Sequence, residues 1–162
     1  MKKCFLAVLA ALVLAWPPFA GAQAKEFTAT VIRVTDGDTL VVRTADFEDL
    51  KIRLYGIDAP ESRQEGGAEA TEALRPLQGR QVTILDMGTD RYSRTVGLVE
   101  YKGQSVNLGQ VVQGWAWHYV KYCQDQPICG EIEKAEAKAR AKGIGLWKEK
   151  EPTPPWEWRK MK

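Results

Sequence analysis

Thr28-Ala29-Thr30-Val31-Ile32-Arg33-Val34, Thr35-Asp36-Gly37-Asp38 and Thr39-Leu40-Val41-Val42-Arg43 follow one another without interruption. A run rich in Val, Ile and Thr, a Gly-centred polar turn and a second such run predict a β-hairpin. Outward from it, residues 51–57 predict a third strand, stopped by Asp58-Ala59-Pro60. Residues 66–79 are rich in Ala, Glu and Leu with apolar side chains at helical spacing, predicting a helix that ends at Gly79 with Pro76 in its last turn. Strands resume at 81–86 and 95–101, and Lys102-Gly103 turns the chain into a further strand at 104–106. Residues 107–114 predict a short helix with Asn107 as its N-cap, and 131–142 a longer one ended by Gly143. Short strands with helices interleaved late predict an α+β domain, a five-stranded OB-type β-barrel with about three helices packed outside.

The N-terminus has a different character. Lys2 and Lys3 without an acid, an apolar run over 5–14 and the small-residue box Ala22-Gln23-Ala24 predict a signal peptide over 1–24, cleaved after Ala24. The run is too short to span a bilayer, so a secreted or periplasmic protein with no membrane anchor after cleavage is expected. The whole chain has 23 Lys+Arg against 21 Asp+Glu, and the surplus of +2 lies in that segment. A net-neutral remainder excludes a strongly basic, histone-like binder, and its length suits one domain. That domain is expected over 25–150, as a monomer, followed by a Pro/Trp-rich tail over 151–162. Glu151-Pro152-Thr153-Pro154-Pro155 excludes regular structure at the start of the tail. Charge is uneven: residues 25–133 hold 12 basic and 17 acidic side chains, and residues 134–162 hold 9 and 4. Cys123 and Cys129, an even pair in an exported chain, predict a disulfide.

Acidic residues cluster at two turns. Asp36 and Asp38 flank Gly37, and Asp58 and Glu61 lie either side of Ala59-Pro60. Either they converge on a hard cation such as Ca²⁺, or they serve as ordinary turn and helix-start residues. Arg53, within Ile52-Arg53-Leu54-Tyr55, either faces solvent or binds an anion. Asp90-Arg91-Tyr92-Ser93-Arg94 adds further cationic donors. Arginines beside a carboxylate-bound cation suit phosphodiester cleavage. His118 is the only histidine, which excludes two-histidine ribonuclease chemistry and His-rich zinc sites. Neither a GxxxxGK[ST] phosphate loop nor a GxSxG elbow occurs.

Taken in order, Val34-Thr35-Asp36-Gly37-Asp38-Thr39-Leu40, Arg53-Leu54-Tyr55-Gly56-Ile57-Asp58-Ala59-Pro60-Glu61 and Asp90-Arg91-Tyr92-Ser93-Arg94 resemble the three active-site motifs of the staphylococcal nuclease-like (thermonuclease) family. Gln113-Gly114-Trp115-Ala116 and residues 137–147 resemble its helical second half. The resemblance implies that Asp38, Asp58 and the backbone carbonyl of Ala59 bind Ca²⁺, with Asp36 and Thr39 acting through water. It implies that Glu61 activates the attacking water and that Arg53 and Arg94 hold the scissile phosphate. The implied activity is hydrolysis of DNA and RNA, leaving 3′-phosphate ends. Two positions depart from the family: Ala59 stands where Thr occurs, and Ser93 where Gly is common before the second arginine.

A non-catalytic OB-fold module that binds single strands or a protein is the alternative, and the complete set Asp38, Arg53, Asp58, Glu61 and Arg94 argues against it. Tyr119 or Tyr122 is a candidate for base stacking. Trp115 and Trp147 are expected in the core, and Lys134, Lys138 and Lys142 form a basic stripe suited to a polynucleotide backbone.

Overall fold

A computed structural model describes residues 25–161, so the signal peptide expected over 1–24 lies outside the described residues. The opening hairpin forms as β1 (Glu26–Asp36) and β2 (Thr39–Arg43), and β2 continues antiparallel into β3 (Asp49–Leu54). The third strand is shorter than predicted. Tyr55-Gly56 interrupts it as a turn, and Ile57–Asp58 forms the separate strand β4. Gly56 takes a φ of 74°, and a Cβ there would lie 2.6 Å from the Cys123 sulfur, so this turn accepts only glycine without strain.

Helix α1 (Gly67–Leu74) is followed by a 3₁₀ turn over Arg75–Leu77, because Pro76 cannot donate an α-helical hydrogen bond. Then β5 (Gln81–Thr89) pairs antiparallel with β1 and with β6 (Thr95–Tyr101). A parallel ladder between β3 and β6 closes the five-stranded barrel, and β7 (Gln104–Ser105) adds a short edge beside β6. Val31, Leu40, Val42, Ile52, Leu54, Val82, Ile84 and Val99 are buried in its core, as the two-residue strand period requires.

Outside the barrel lie α2 (Val106–Val112), β8 (Trp117–His118), α3 (Ile128–Ala141) and α4 (Pro155–Trp158). The N-cap of α2 is Ser105, whose hydroxyl accepts the Leu108 amide, and not Asn107. Asn107 is fully buried instead: its side chain accepts the Val99 amide and donates to the carbonyls of Tyr55 and Gly97. That replaces ladder bonds lost where β3 ends. Trp147 is buried with Trp117, while Trp115 is only partly buried. The predicted disulfide joins Cys123 and Cys129 with Cα atoms 5.5 Å apart, packed on the turn at Gly56.

The tail is the main departure from expectation. Residues 151–154 lack regular structure, but α4 follows at once, opened by a proline whose fixed φ suits a first helical turn. Pro155 is buried, and the segment lies against the barrel's acidic end.

Candidate active site

Register explains why the first two motifs meet. Thr39 pairs with Arg53, and the Leu54 amide donates to the Asp38 carbonyl, so the β1–β2 turn sits beside the end of β3. Ile52 and Leu54 point into the barrel, which sends Arg53 between them to the opposite face. There Asp38 and Asp58 cover it, leaving its side chain 13 % exposed. Arg53 Nη2 donates to Asp58 Oδ1 at 2.7 Å, and Nη1 lies 2.7 Å from Asp38 Oδ2. Arg53 therefore does not face open solvent, and what it holds here is a pair of carboxylates.

The turn carrying Asp36 and Asp38 is pinned from several sides. Asp38 Oδ2 accepts the Ala59 amide, its Oδ1 accepts the Thr39 hydroxyl, and its own amide donates to Asp36. Gln110 of α2, fully buried, donates to the carbonyls of Gly37 and Ala70. A Cβ on Gly37 would lie 2.6 Å from that of Ala70 and 2.7 Å from that of Ala59, so only glycine allows this approach. Asp58 is fixed by pairing of β4 with β8, opposite Trp117, and is 1 % exposed. Glu61 follows at the rim, in a loop held by Gln64, whose side chain accepts the Glu61 amide.

Burial dominates the electrostatics. Asp38 is pushed up to about 6 by burial, opposed by Arg53 and reinforced by the neighbouring Asp36 charge. Asp58 is also raised by burial, against the pull of Arg159 and Arg53, with Asp38 adding repulsion. Both carboxylates are raised because burial outweighs the arginines that face them. An all-oxygen donor set of this kind fits a hard divalent cation held by Asp38, Asp58 and the Ala59 carbonyl, with Asp36 and Thr39 within reach of Asp38.

Arg94 approaches differently. It stands just before Thr95, which pairs with Ile52, but its guanidinium is bound to Asp90 at 2.8 Å and lies 5.6 Å from the Tyr92 ring. Burial tends to raise Asp90, yet hydrogen bonds from the Arg94 amide and guanidinium and the Tyr92 amide outweigh it and hold this carboxyl low. The third motif is thus a self-contained loop at the start of β6, with Arg94 turned to its own aspartate.

Tyr119 adjoins the site because β8 pairs with β4 and its amide donates to the Gly56 carbonyl. Tyr122 meets it edge-on at 4.8 Å, and Trp156 of α4 lies flat against Tyr119, with centroids 5.5 Å apart and planes 4° from parallel. From the same segment Arg159 forks onto the acids: Nη2 to Asp58 Oδ2 at 2.7 Å, Nη1 to Asp58 Oδ1 at 3.3 Å and to Glu61 Oε1 at 2.8 Å. These two carboxylates raise Arg159 against the lowering effect of its burial. Gln64 donates to the Thr153 carbonyl and ties the strand-like start of the segment to the Glu61 loop.

Sequence reading missed Gln110, Asn107, Gln64, Trp156 and Arg159. A polar residue amid the apolar positions of a short helix was the available sign for Gln110, and nothing local marked Arg159. Lys134, Lys138 and Lys142 rim a groove floored by Leu108, Val112, Ala135, Ala139 and Ile144, which none of the acidic-site residues lines. The Glu136–Arg140 ion pair forms as helical spacing predicts, at 2.9 Å. Among the described residues, three His, Cys, Asp or Glu side chains bring ligand atoms within 4.8 Å of one another only at His118, Cys123 and Cys129, where the disulfide leaves no thiolate to bind a metal.

A sequence profile for "Staphylococcal nuclease homologue" matches residues 51–149. An uncharacterized endonuclease of Haemophilus influenzae is 37 % identical over 132 residues, covering 81 % of this chain and 74 % of that protein. A micrococcal nuclease of Shigella flexneri is 36 % identical over 169 residues, covering 95 % and 91 %. An uncharacterized endonuclease of Escherichia coli is 35 % identical across the full length of both chains.

Proposed function

The chain belongs to the staphylococcal nuclease homologue family, and from that premise we propose that it is an exported, Ca²⁺-dependent nuclease of DNA and RNA. It hydrolyses phosphodiester bonds with little sequence preference and leaves 3′-phosphate ends. The observation that carries this reading is Arg53 buried between Asp38 and Asp58, an anion-binding fork set directly against hard oxygen ligands. A binding module has no need of that combination.

Asp38, Asp58 and the Ala59 carbonyl would hold Ca²⁺, which would supply positive charge against the charge developing on the phosphoryl oxygens. Arg53 holds the scissile phosphate from the barrel side, and Arg94 from the β5–β6 loop once it exchanges Asp90 for phosphate. Glu61, half-exposed at the rim, orients a water and takes its proton as the water oxygen attacks phosphorus. The bond to the 5′ oxygen then breaks, and phosphate stays on the 3′ side. Tyr119 and Tyr122 offer rings for stacking by a neighbouring base, and the lysine stripe of α3 attracts the backbone.

Export rests on residues 1–24 and is supported by the Cys123–Cys129 disulfide, a bond that persists in oxidising compartments. The test is digestion of single- and double-stranded DNA and of RNA by the mature protein, with Ca²⁺ or with EGTA. Activity should require Ca²⁺ and yield fragments with free 5′-hydroxyls; full activity in EGTA would overturn the calcium assignment.

A further inference from the structure

Residues 151–161 place two side chains on two separate parts of the site. Arg159 takes both oxygens of Asp58 and one of Glu61, the carboxylates assigned above to the cation and to the attacking water. Trp156 covers one face of Tyr119, a ring assigned to base stacking. A guanidinium brings the charge of a cation, and an indole lying parallel to a tyrosine reproduces the contact of a stacked base. The segment thus presents cation and base in one piece of chain.

Its placement has independent anchors. Pro155 is buried, Gln64 bonds the Thr153 carbonyl, and Trp156 also packs on the cluster of Trp117, Ala139, Leu146 and Trp147. Pro152, Pro154 and Pro155 limit the backbone freedom lost on docking. Arg159 itself is 41 % exposed at the open end, so solvent reaches the side chain that spans Asp58 and Glu61. Arg53, by contrast, sits under the turn and cannot leave.

We propose that residues 151–161 are a built-in strap that closes the nuclease site, with Arg159 in competition with Ca²⁺ for Asp58 and with the attacking water for Glu61, and Trp156 in competition with a nucleobase for Tyr119. The inference rests on the calcium-nuclease reading for its first half, while its second half needs no metal. A divalent ion on Asp58 and a guanidinium spanning the same two oxygens repel each other at contact distance, so binding one displaces the other. Substrate and Ca²⁺ together release the strap, and neither alone meets a fully open site.

The test uses the full mature chain and two substitutions in the strap. Ca²⁺ affinity is measured by calorimetry on wild type and Arg159→Ala; a strap closed nine-tenths of the time weakens apparent affinity about tenfold, and the variant should recover that factor. Equal or weaker Ca²⁺ binding by Arg159→Ala overturns the competition, since a merely structural arginine would not tighten the site when removed. In EDTA, binding of a short oligothymidylate is compared between wild type and Trp156→Ala, where tighter binding by the variant is expected. Equal or weaker binding overturns the Tyr119 half and makes Trp156 part of the substrate platform. If neither wild type nor Arg159→Ala binds Ca²⁺, the calcium reading fails and the Arg159 half with it, while the EDTA measurement still judges the Trp156 half.

Discussion

Asp58 receives two arginines from opposite kinds of scaffold. Arg53 lies on β3, paired on both sides by β2 and β6, and is 13 % exposed; Arg159 follows a four-residue helix in a terminal segment and is 41 % exposed. Both donate to Asp58 at 2.7 Å, so distance alone would rank them equal. The scaffold separates them. A guanidinium fixed by two ladders stays in every state of the folded protein, whereas one on a terminal segment can leave without disturbing the barrel. Substitution of the two should therefore have unequal consequences. Arg53→Ala should lower kcat by about 10²–10³, and also destabilise the fold by about 3 kcal/mol or more because Asp38 and Asp58 lose a buried partner. Arg159→Ala should cost less stability than Arg53→Ala, because Arg159 and Glu61 are each 41 % exposed and Asp58 keeps Arg53 as its buried partner. Rates on DNA and urea unfolding of both variants check this, and a wild-type rate in Arg53→Ala would break the comparison.

Burial of Asp38 outweighs the pull of Arg53, which gives a pH test. Asp38 has a folded pKa of about 6 against 3.8 unfolded. A carboxyl raised on folding binds more protons in the native state, so its contribution is fully present below about pH 4 and is lost as pH rises through 6. In EDTA the ionised Asp38 should cost the native state about 3 kcal/mol at pH 7. Asp38→Asn should accordingly be the more stable protein at pH 7, with its advantage shrinking toward pH 4 in urea titrations. Saturating Ca²⁺ should reverse the order at pH 7. An advantage independent of pH would show that Arg53 already balances the charge.

The disulfide belongs to the fixed side of the comparison. Cys123 packs on Gly56, between the strand bearing Arg53 and the strand bearing Asp58, while Tyr55 bonds Asp125 and the Gln124 amide in the same loop. Cys123→Ser with Cys129→Ser should cost about 2 kcal/mol in thermal or urea unfolding, the scale for closing a short loop. Tyr119 and Tyr122 begin this loop, so oligonucleotide affinity should fall while the metal ligands stay in place.

What could be read from the sequence follows the same division. The hairpin, the acidic turn and the strand with Arg53 are local patterns, and the two-residue strand period already contained the question of which face Arg53 takes. Pairing across long separations was not legible: Gln110 reaches Gly37 and Ala70 through tertiary packing, and Asn107 looked like a cap because caps and buried network residues share the same chemistry. That the segment after Glu151 docks on the site was not legible, for a physical reason. Prolines forbid regular hydrogen bonding but favour a docked extended chain, and composition alone does not say what the chain docks against.

Arg94 stands between the two extremes, on a loop, 25 % exposed, and bound to Asp90. Asp90 Oδ1 accepts the amides of Tyr92 and Arg94, and its carbonyl accepts the Ser93 amide, so the loop's shape comes from Asp90. Ser93 has a φ of 61°, a conformation in which a Cβ costs roughly 1 kcal/mol or more. Glycine would remove that strain but gain freedom in the unfolded chain, leaving a net stabilisation of about 0.5 kcal/mol for Ser93→Gly. Because the Asp90 bonds are untouched, kcat should stay at the wild-type value while Tm rises by a degree or two. A lower kcat would mean that the serine hydroxyl helps set Arg94 against the phosphate, placing this arginine with the movable Arg159 and not with the fixed Arg53.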